Sequence, residues 1–172
     1  MELTGSNHST GTERVAEVAS RHKDEIVINI QGDEPFISPD IIDGAVLLLL
    51  EEKSIQMSTA ASLSLSQDEW ENPNVVKVEL DDDGFAKDFF RVPEGEQSTK
   101  HLKHIGIYTF RREYLLKLVK MEKSSREIER RLEQMRAMDI DCKMGVFVTE
   151  YDVIGVNTPD DLNALIENMG IA

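Results

Sequence analysis

Asp33 stands in Gln31-Gly32-Asp33-Glu34-Pro35, directly after the β-branched run Glu25–Ile30 (EIVINI). A carboxylate just past the carboxyl end of a strand sits where open α/β sheets bind ligands. A single Asp there suits Mg²⁺, a hard cation held by one or two carboxylates together with substrate phosphates. The same five residues also read as a plain acidic loop in an acidic protein. A second cluster, His8-Ser9-Thr10-Gly11-Thr12-Glu13-Arg14, leads into a helix. Free backbone N–H groups around Thr10 and Gly11 could hold an anion there, and Arg14 could add a planar fork for a carboxylate or phosphate. A capped helix with a surface Arg fits those residues too. Arg91 closes the segment Phe85–Phe90, and His104, Gly106 and Tyr108 alternate with Ile105 and Ile107. Period two puts His104 and Tyr108 on one face, either as a polar pocket wall or as ordinary half-buried strand residues. Glu133 and Gln134 lie in a charge-rich helical stretch, which is usually a solvated face. Asn157 precedes Thr158-Pro159-Asp160-Asp161, a helix start, and Cys142 has no neighbouring base to activate it.

The elements that must position these groups alternate. Helices are expected over Thr12–His22, from Ser38 to about Glu52, over Arg112–Met121 and Glu127–Met138, and from Thr158 to about Met169. Ser38-Pro39-Asp40 and Thr158-Pro159-Asp160 each supply an N-cap, a proline at the first helical position and an acid in the first turn. Strands are expected over Glu25–Ile30, Val75–Leu80, Phe85–Phe90, Ile105–Phe110 and Lys143–Val148. Gln56–Leu65 mixes strand and loop signals, and Asp81-Asp82-Asp83-Gly84 reads as a hairpin turn. Such alternation predicts one α/β domain over residues 1–172, with a mainly parallel sheet, helices on both faces and an antiparallel excursion. Val92–Lys100 is the expected flexible stretch. The chain opens on a loop and a helix with no preceding strand, so the domain is expected to be incomplete at its N-terminal edge.

Composition removes several functions. The chain has 172 residues, with 19 basic and 33 acidic side chains and a net charge of −14. That balance opposes binding to nucleic-acid phosphates or an anionic membrane. The longest apolar run, Ala45–Leu50, is far short of the ~20 residues a bilayer span needs. The polar start MELTGSNHST has no apolar signal region, and the single cysteine allows no internal disulfide. A cytoplasmic location is expected.

Six blocks, HSTGTER, INIQGDEP, NPNVVKVELDDDGFA, HIGIYTFR, LEQMRAM and GVNTPDDL, occur in an order and spacing that resembles the 3-deoxy-manno-octulosonate cytidylyltransferase (CMP-Kdo synthetase) family, from Thr4 to Leu162. The resemblance implies a Rossmann-like nucleotidyltransferase sheet and transfer of CMP from CTP to the 2-hydroxyl of the acid sugar Kdo, with release of pyrophosphate, for lipopolysaccharide synthesis. It implies Mg²⁺ as cofactor, CTP and Kdo or a related acid sugar as ligands, and a homodimer. Asp33 matches the family's metal-binding Asp. Arg14, Gln31, Arg91, His104, Tyr108, Glu133 and Gln134 match sugar-site positions, with Thr10 and Gly11 assigned to the nucleotide and Asn157 to the metal.

Three departures shape the expectations. The family's opening strand and basic loop, about 70 residues, have no counterpart here. Little or no activity is therefore expected of these 172 residues by themselves, and a non-catalytic fragment or split subunit that binds only the acid sugar is the alternative. Asn157 stands where the family has Asp, so the metal is expected to be held more weakly. The stretch between Arg91 and His104 is about ten residues shorter than usual and Arg130 stands where an acid is expected, which leaves room for a sugar such as amino-substituted Kdo.

Overall fold

A computed structural model describes residues 1–153, 155–156 and 158–169. Helix α1 (Gly11–Ser20) starts at Thr10, whose hydroxyl accepts the Glu13 N–H. Strand β1 (Ile26–Ile30) follows, then α2 (Pro39–Glu51), capped by Ser38 with Pro39 in its first turn. Strand β2 (Met57–Ser62) is buried along its whole length. Helix α3 (Gln67–Glu71) was not expected; a reciprocal capping box between Ser66 and Glu69 starts it. Strands β3 (Lys77–Leu80) and β4 (Ala86–Phe90) form the expected hairpin, and Gly84 takes a positive φ of 84° in its turn. Strand β5 (His101–Arg111) is longer than expected. Then come α4 (Arg112–Leu118), α5 (Ser125–Arg130), α6 (Met135–Met138), β6 (Met144–Thr149) and α7 (Pro159–Met169).

The single helix expected over Glu127–Met138 is broken. Arg131 adopts the left-handed conformation, φ 54° and ψ 47°, which stops α5 and turns the chain before α6. Nothing local demands this, because the stretch has no Gly or Pro. Tertiary contacts override propensity: Glu133 accepts the Thr12 hydroxyl at 2.5 Å, and Arg136 grips Glu127 with two bonds of 2.7 and 2.6 Å.

The sheet runs β4-β3-β5-β2-β6, with β1 also on β5. The expected α/β layering holds, but the pairing is not mainly parallel. Only β2–β6 is a parallel pair among the described residues; β1–β5, β2–β5, β3–β4 and β3–β5 are antiparallel. Both β1 and β2 oppose β5, so β1, β2 and β6 point one way and β5 is inserted against them. A βα alternation fixes strand direction, and β5 arrives from a hairpin without a helical crossover, which reverses it. Helices cover both faces. Ile41 of α2 packs with Ala60, Ile105 and Ile107 on one side. On the other, Ala16, Leu115 and Met135 pack with Met57, Tyr108 and Phe110.

Along one edge of β5 the pairing with β3 ends at Lys103 and the pairing with β1 begins at Ile107. Residues 104–106 face the interval between those two strands. That interval opens the cavity described next.

Candidate active site

The cavity, of about 340 Å³, lies at the carboxyl ends of β1 and β6. Gln31, Asp33 and Glu34 line it from the turn after β1, Asn72 to Val76 from the approach to β3, Lys103 to Gly106 from β5, and Asp152, Thr158 and Asp161 from the segment after β6. Its position matches the ligand-binding edge expected for strands running in one direction.

The turn that carries Asp33 is fixed to β5 at one residue. Gly106 accepts the Gln31 N–H at 2.8 Å and donates its own N–H to Glu34 Oε1 at 2.7 Å. A β-carbon on Gly106 would lie 3.0 Å from Glu34 Cγ and 3.3 Å from Gln31 Cβ, so this approach requires glycine. The clamp leaves Asp33 Oδ1 and Glu34 Oε2 buried without a hydrogen-bond partner. Burial pushes the Glu34 carboxyl up, against the Gly106 N–H, and the Asp33 charge adds to the rise.

Lys103 is the cavity's one basic side chain other than histidine among the described residues. Its ammonium is 2.8 Å from Glu69 Oε1 and also bonds Asp152, which ties α3 and the segment after β6 to β5. Burial pulls its pKa down, but those two carboxylates outweigh burial and hold it above the ordinary lysine value. His104 bonds Thr59 Oγ1 through Nε2 at 2.8 Å and lies against Phe89 and Tyr108, with ring centroids 5.3 Å away in each case. Burial, reinforced by the Arg91 guanidinium, lowers its pKa to about 3, so the imidazole is neutral at physiological pH.

Gln31, Asp33 and His104 are thus brought together. Tyr108, Thr10, Glu133 and Gln134 are not in that cavity. They line a separate small hollow of about 10 Å³, with room for no more than one water. Burial raises the Tyr108 phenol well above its usual pKa, and Gln134 Nε2 is buried without a partner. Gly11 begins α1, with open space where a β-carbon would sit. Arg14 turns away from both spaces and donates to Thr4 Oγ1 and to the Gly5 carbonyl. Arg91 lines a separate groove with Arg126, Arg130 and Arg131 and reaches the Pro73 and Asn74 carbonyls at 3.3 Å. Asn157 lies outside the described residues. Arg130, an unexpected base by sequence, is matched by Asp88, whose two oxygens it meets at 2.7 and 2.8 Å.

Sequence reasoning missed Glu34, Lys103, Glu69 and Asp152. Glu34 had a signal, its place beside Asp33 in the turn. The other three are joined only by the fold.

A family profile described as Cytidylyltransferase matches residues 2–144. The chain is 39% identical over 184 aligned positions to the 3-deoxy-manno-octulosonate cytidylyltransferase of Geobacter sulfurreducens, covering 98% of this chain and 74% of that protein. It is 41% identical over 167 positions to the enzyme of the same name from Solibacter usitatus, covering 94% of this chain and 66% of that one. Its fold matches a CMP:2-keto-3-deoxy-manno-octonic acid synthetase solved with CTP, with a TM-score of 0.85 and 30% identity over 95% of this chain and 69% of the other. A 4-diphosphocytidyl-2C-methyl-D-erythritol synthase from Anaerococcus prevotii, at 16% identity and a TM-score of 0.58, shares the fold. With its sheet, its cavity at the strand ends and these relatives, the chain belongs to the 3-deoxy-manno-octulosonate cytidylyltransferase family.

Proposed function

We propose that the protein transfers CMP from CTP to the 2-hydroxyl of Kdo and releases pyrophosphate, as a Mg²⁺-dependent cytoplasmic homodimer that supplies activated sugar for lipopolysaccharide. The observation that carries this reading is Asp33: a carboxylate at the end of β1, with Oδ1 buried and unpaired, beside Gln31 and His104 in one cavity. The reaction forms a bond from the sugar oxygen to the α-phosphorus and breaks the bond from that phosphorus to the β-phosphate bridge. The hydroxyl proton leaves to solvent or to a base.

The lining supports a cation in this role. Among the described residues Asp33, Glu34, Glu69, Asp152 and Asp161 share the lining with one basic side chain besides His104, Lys103, so a triphosphate would meet mostly negative charge. Among the described residues no three His, Cys, Asp or Glu side chains form a ready metal cage. That suits Mg²⁺, which takes one or two carboxylates and completes its shell with water and phosphate oxygens. Asp33 would hold it, and Asn157 is carried as a second oxygen donor by resemblance. Mg²⁺, when bound, offsets the charge on the phosphates. The chain's own residues then supply position: the Gly106 clamp fixes Asp33, Lys103 fixes the segment after β6, and the Gln31 amide and neutral His104 offer hydrogen bonds to sugar hydroxyls.

The test is product formation from CTP and Mg²⁺ with Kdo, 8-amino-Kdo or N-acetylneuraminate, read by mass spectrometry. The mass of CMP-Kdo, absent with the nine-carbon sugar, is the expected result. Product from N-acetylneuraminate alone would overturn the choice of sugar.

A further inference from the structure

Thr59 is fully buried in β2, opposite Tyr108, at the point where the β2–β5 register shifts by passing over Gly106 and Ile107. Its hydroxyl has two close partners. Oγ1 lies 2.6 Å from the Ile107 carbonyl oxygen and 2.8 Å from His104 Nε2. A hydroxyl has one hydrogen, and a carbonyl oxygen can only accept. The Thr59 hydrogen therefore goes to Ile107, and the second contact is a hydrogen bond only if His104 Nε2 donates. A neutral imidazole carries one N–H. With that hydrogen on Nε2, Nδ1 is left as an acceptor, and it has no hydrogen-bond partner among the described residues.

We propose that Thr59 is a positioning residue that fixes the tautomer of His104, so that His104 presents Nδ1 to the cavity as an acceptor for a donor group of the ligand. Which ring nitrogen bears the proton in a neutral histidine is set by the bond the other groups offer it. Here the offer is made by a relay from a main-chain carbonyl, and the shift in the ladder is what frees that carbonyl for a side chain. An acceptor with no donor character selects a hydroxyl over a carbonyl or carboxylate oxygen. This assignment of a hydroxyl-bearing ligand rests on the acid-sugar reading; the tautomer itself does not.

The experiment is nitrogen-15 NMR of the imidazoles in the ligand-free protein, with steady-state kinetics on the wild type, Thr59→Val and Thr59→Ser. For wild type and Thr59→Ser, His104 is expected as the Nε2–H tautomer. In Thr59→Val, which keeps the shape but removes the hydroxyl, a tautomer mixture is expected, with KM for the sugar raised about three- to tenfold and KM for CTP unchanged. An Nδ1–H or protonated His104 in the wild type overturns the proposal, and needs no variant to fold. So does an unchanged tautomer ratio in a folded Thr59→Val protein. A tautomer that shifts as expected while no acid sugar is turned over would leave the relay standing and overturn the sugar reading instead.

Discussion

The place of Asp33 at the cavity was legible, because it follows directly on a strand end and strand ends are ligand edges whatever the strand's neighbours. Gln31 and His104 were legible for related reasons, one in the same turn and one by period two. The partners that hold them were not. Lys103 reaches Glu69 and Asp152 across 34 and 49 residues, and Glu34 reaches Gly106 across 72. No local pattern encodes such pairs. Two predictions belong at this scale. Gly106→Ala must displace Glu34 or Gln31, so it should weaken Mn²⁺ binding about tenfold by electron paramagnetic resonance, with a modest fall in melting temperature; unchanged Mn²⁺ binding would show that the clamp does not position Asp33. His104 gives a pH dependence. Its ordinary pKa is about 6.5 and its folded value about 3, so between those values the unfolded chain binds the extra proton. Stability is complete above pH 6.5 and falls as pH drops below it. His104 lines the cavity and is only partly buried, so the loss from pH 6.5 to 5 should be about 1 kcal/mol by urea denaturation, and His104→Gln should lack that part of the slope.

At the scale of elements, caps were the readable signals. Ser38-Pro39 and Thr158-Pro159 begin helices where their sequences say so, and the Asp81–Gly84 turn makes its hairpin. The break between α5 and α6 was hidden, because Glu129 to Arg136 are all good helix formers, including Arg131, the residue that turns left-handed. What holds the broken helix is Glu127 with Arg136, a two-bond pair with side chains only 5% and 7% exposed. Arg136→Met leaves the buried Glu127 carboxylate without its cation, with only the Ser124 N–H beside it, and should cost about 3–5 kcal/mol in chemical denaturation. The double replacement Glu127→Leu with Arg136→Met should recover much of that loss. Equal destabilisation by both would mean the pair does not act through desolvation. Gly44 in α2 is a second constraint, since a β-carbon there would lie 2.4 Å from the Phe147 ring. Gly44→Ala should therefore destabilise despite its better helix propensity, by about 1–3 kcal/mol in the same measurement.

For the whole molecule, the alternation named the α/β class but did not give strand order. β5 slides between β1 and β2 because it must reach them from a hairpin, and the interval it leaves between β1 and β3 is the cavity. The net charge of −14 is repeated inside that cavity, so the proposed Mg²⁺ dependence would follow from the charge balance of the whole protein. CTP should raise the melting temperature only with Mg²⁺ present, and a chelator should abolish the shift. The most direct test of the central claim is pyrophosphate release from CTP and Kdo with Mg²⁺, by the wild type beside Asp33→Asn. Release by the wild type that falls at least about a hundredfold in the variant, with its melting temperature kept, is the predicted result, and it would also overturn the expectation that these 172 residues alone have little or no activity. Equal release by both proteins would contradict the assignment of Asp33 and of the cavity around it.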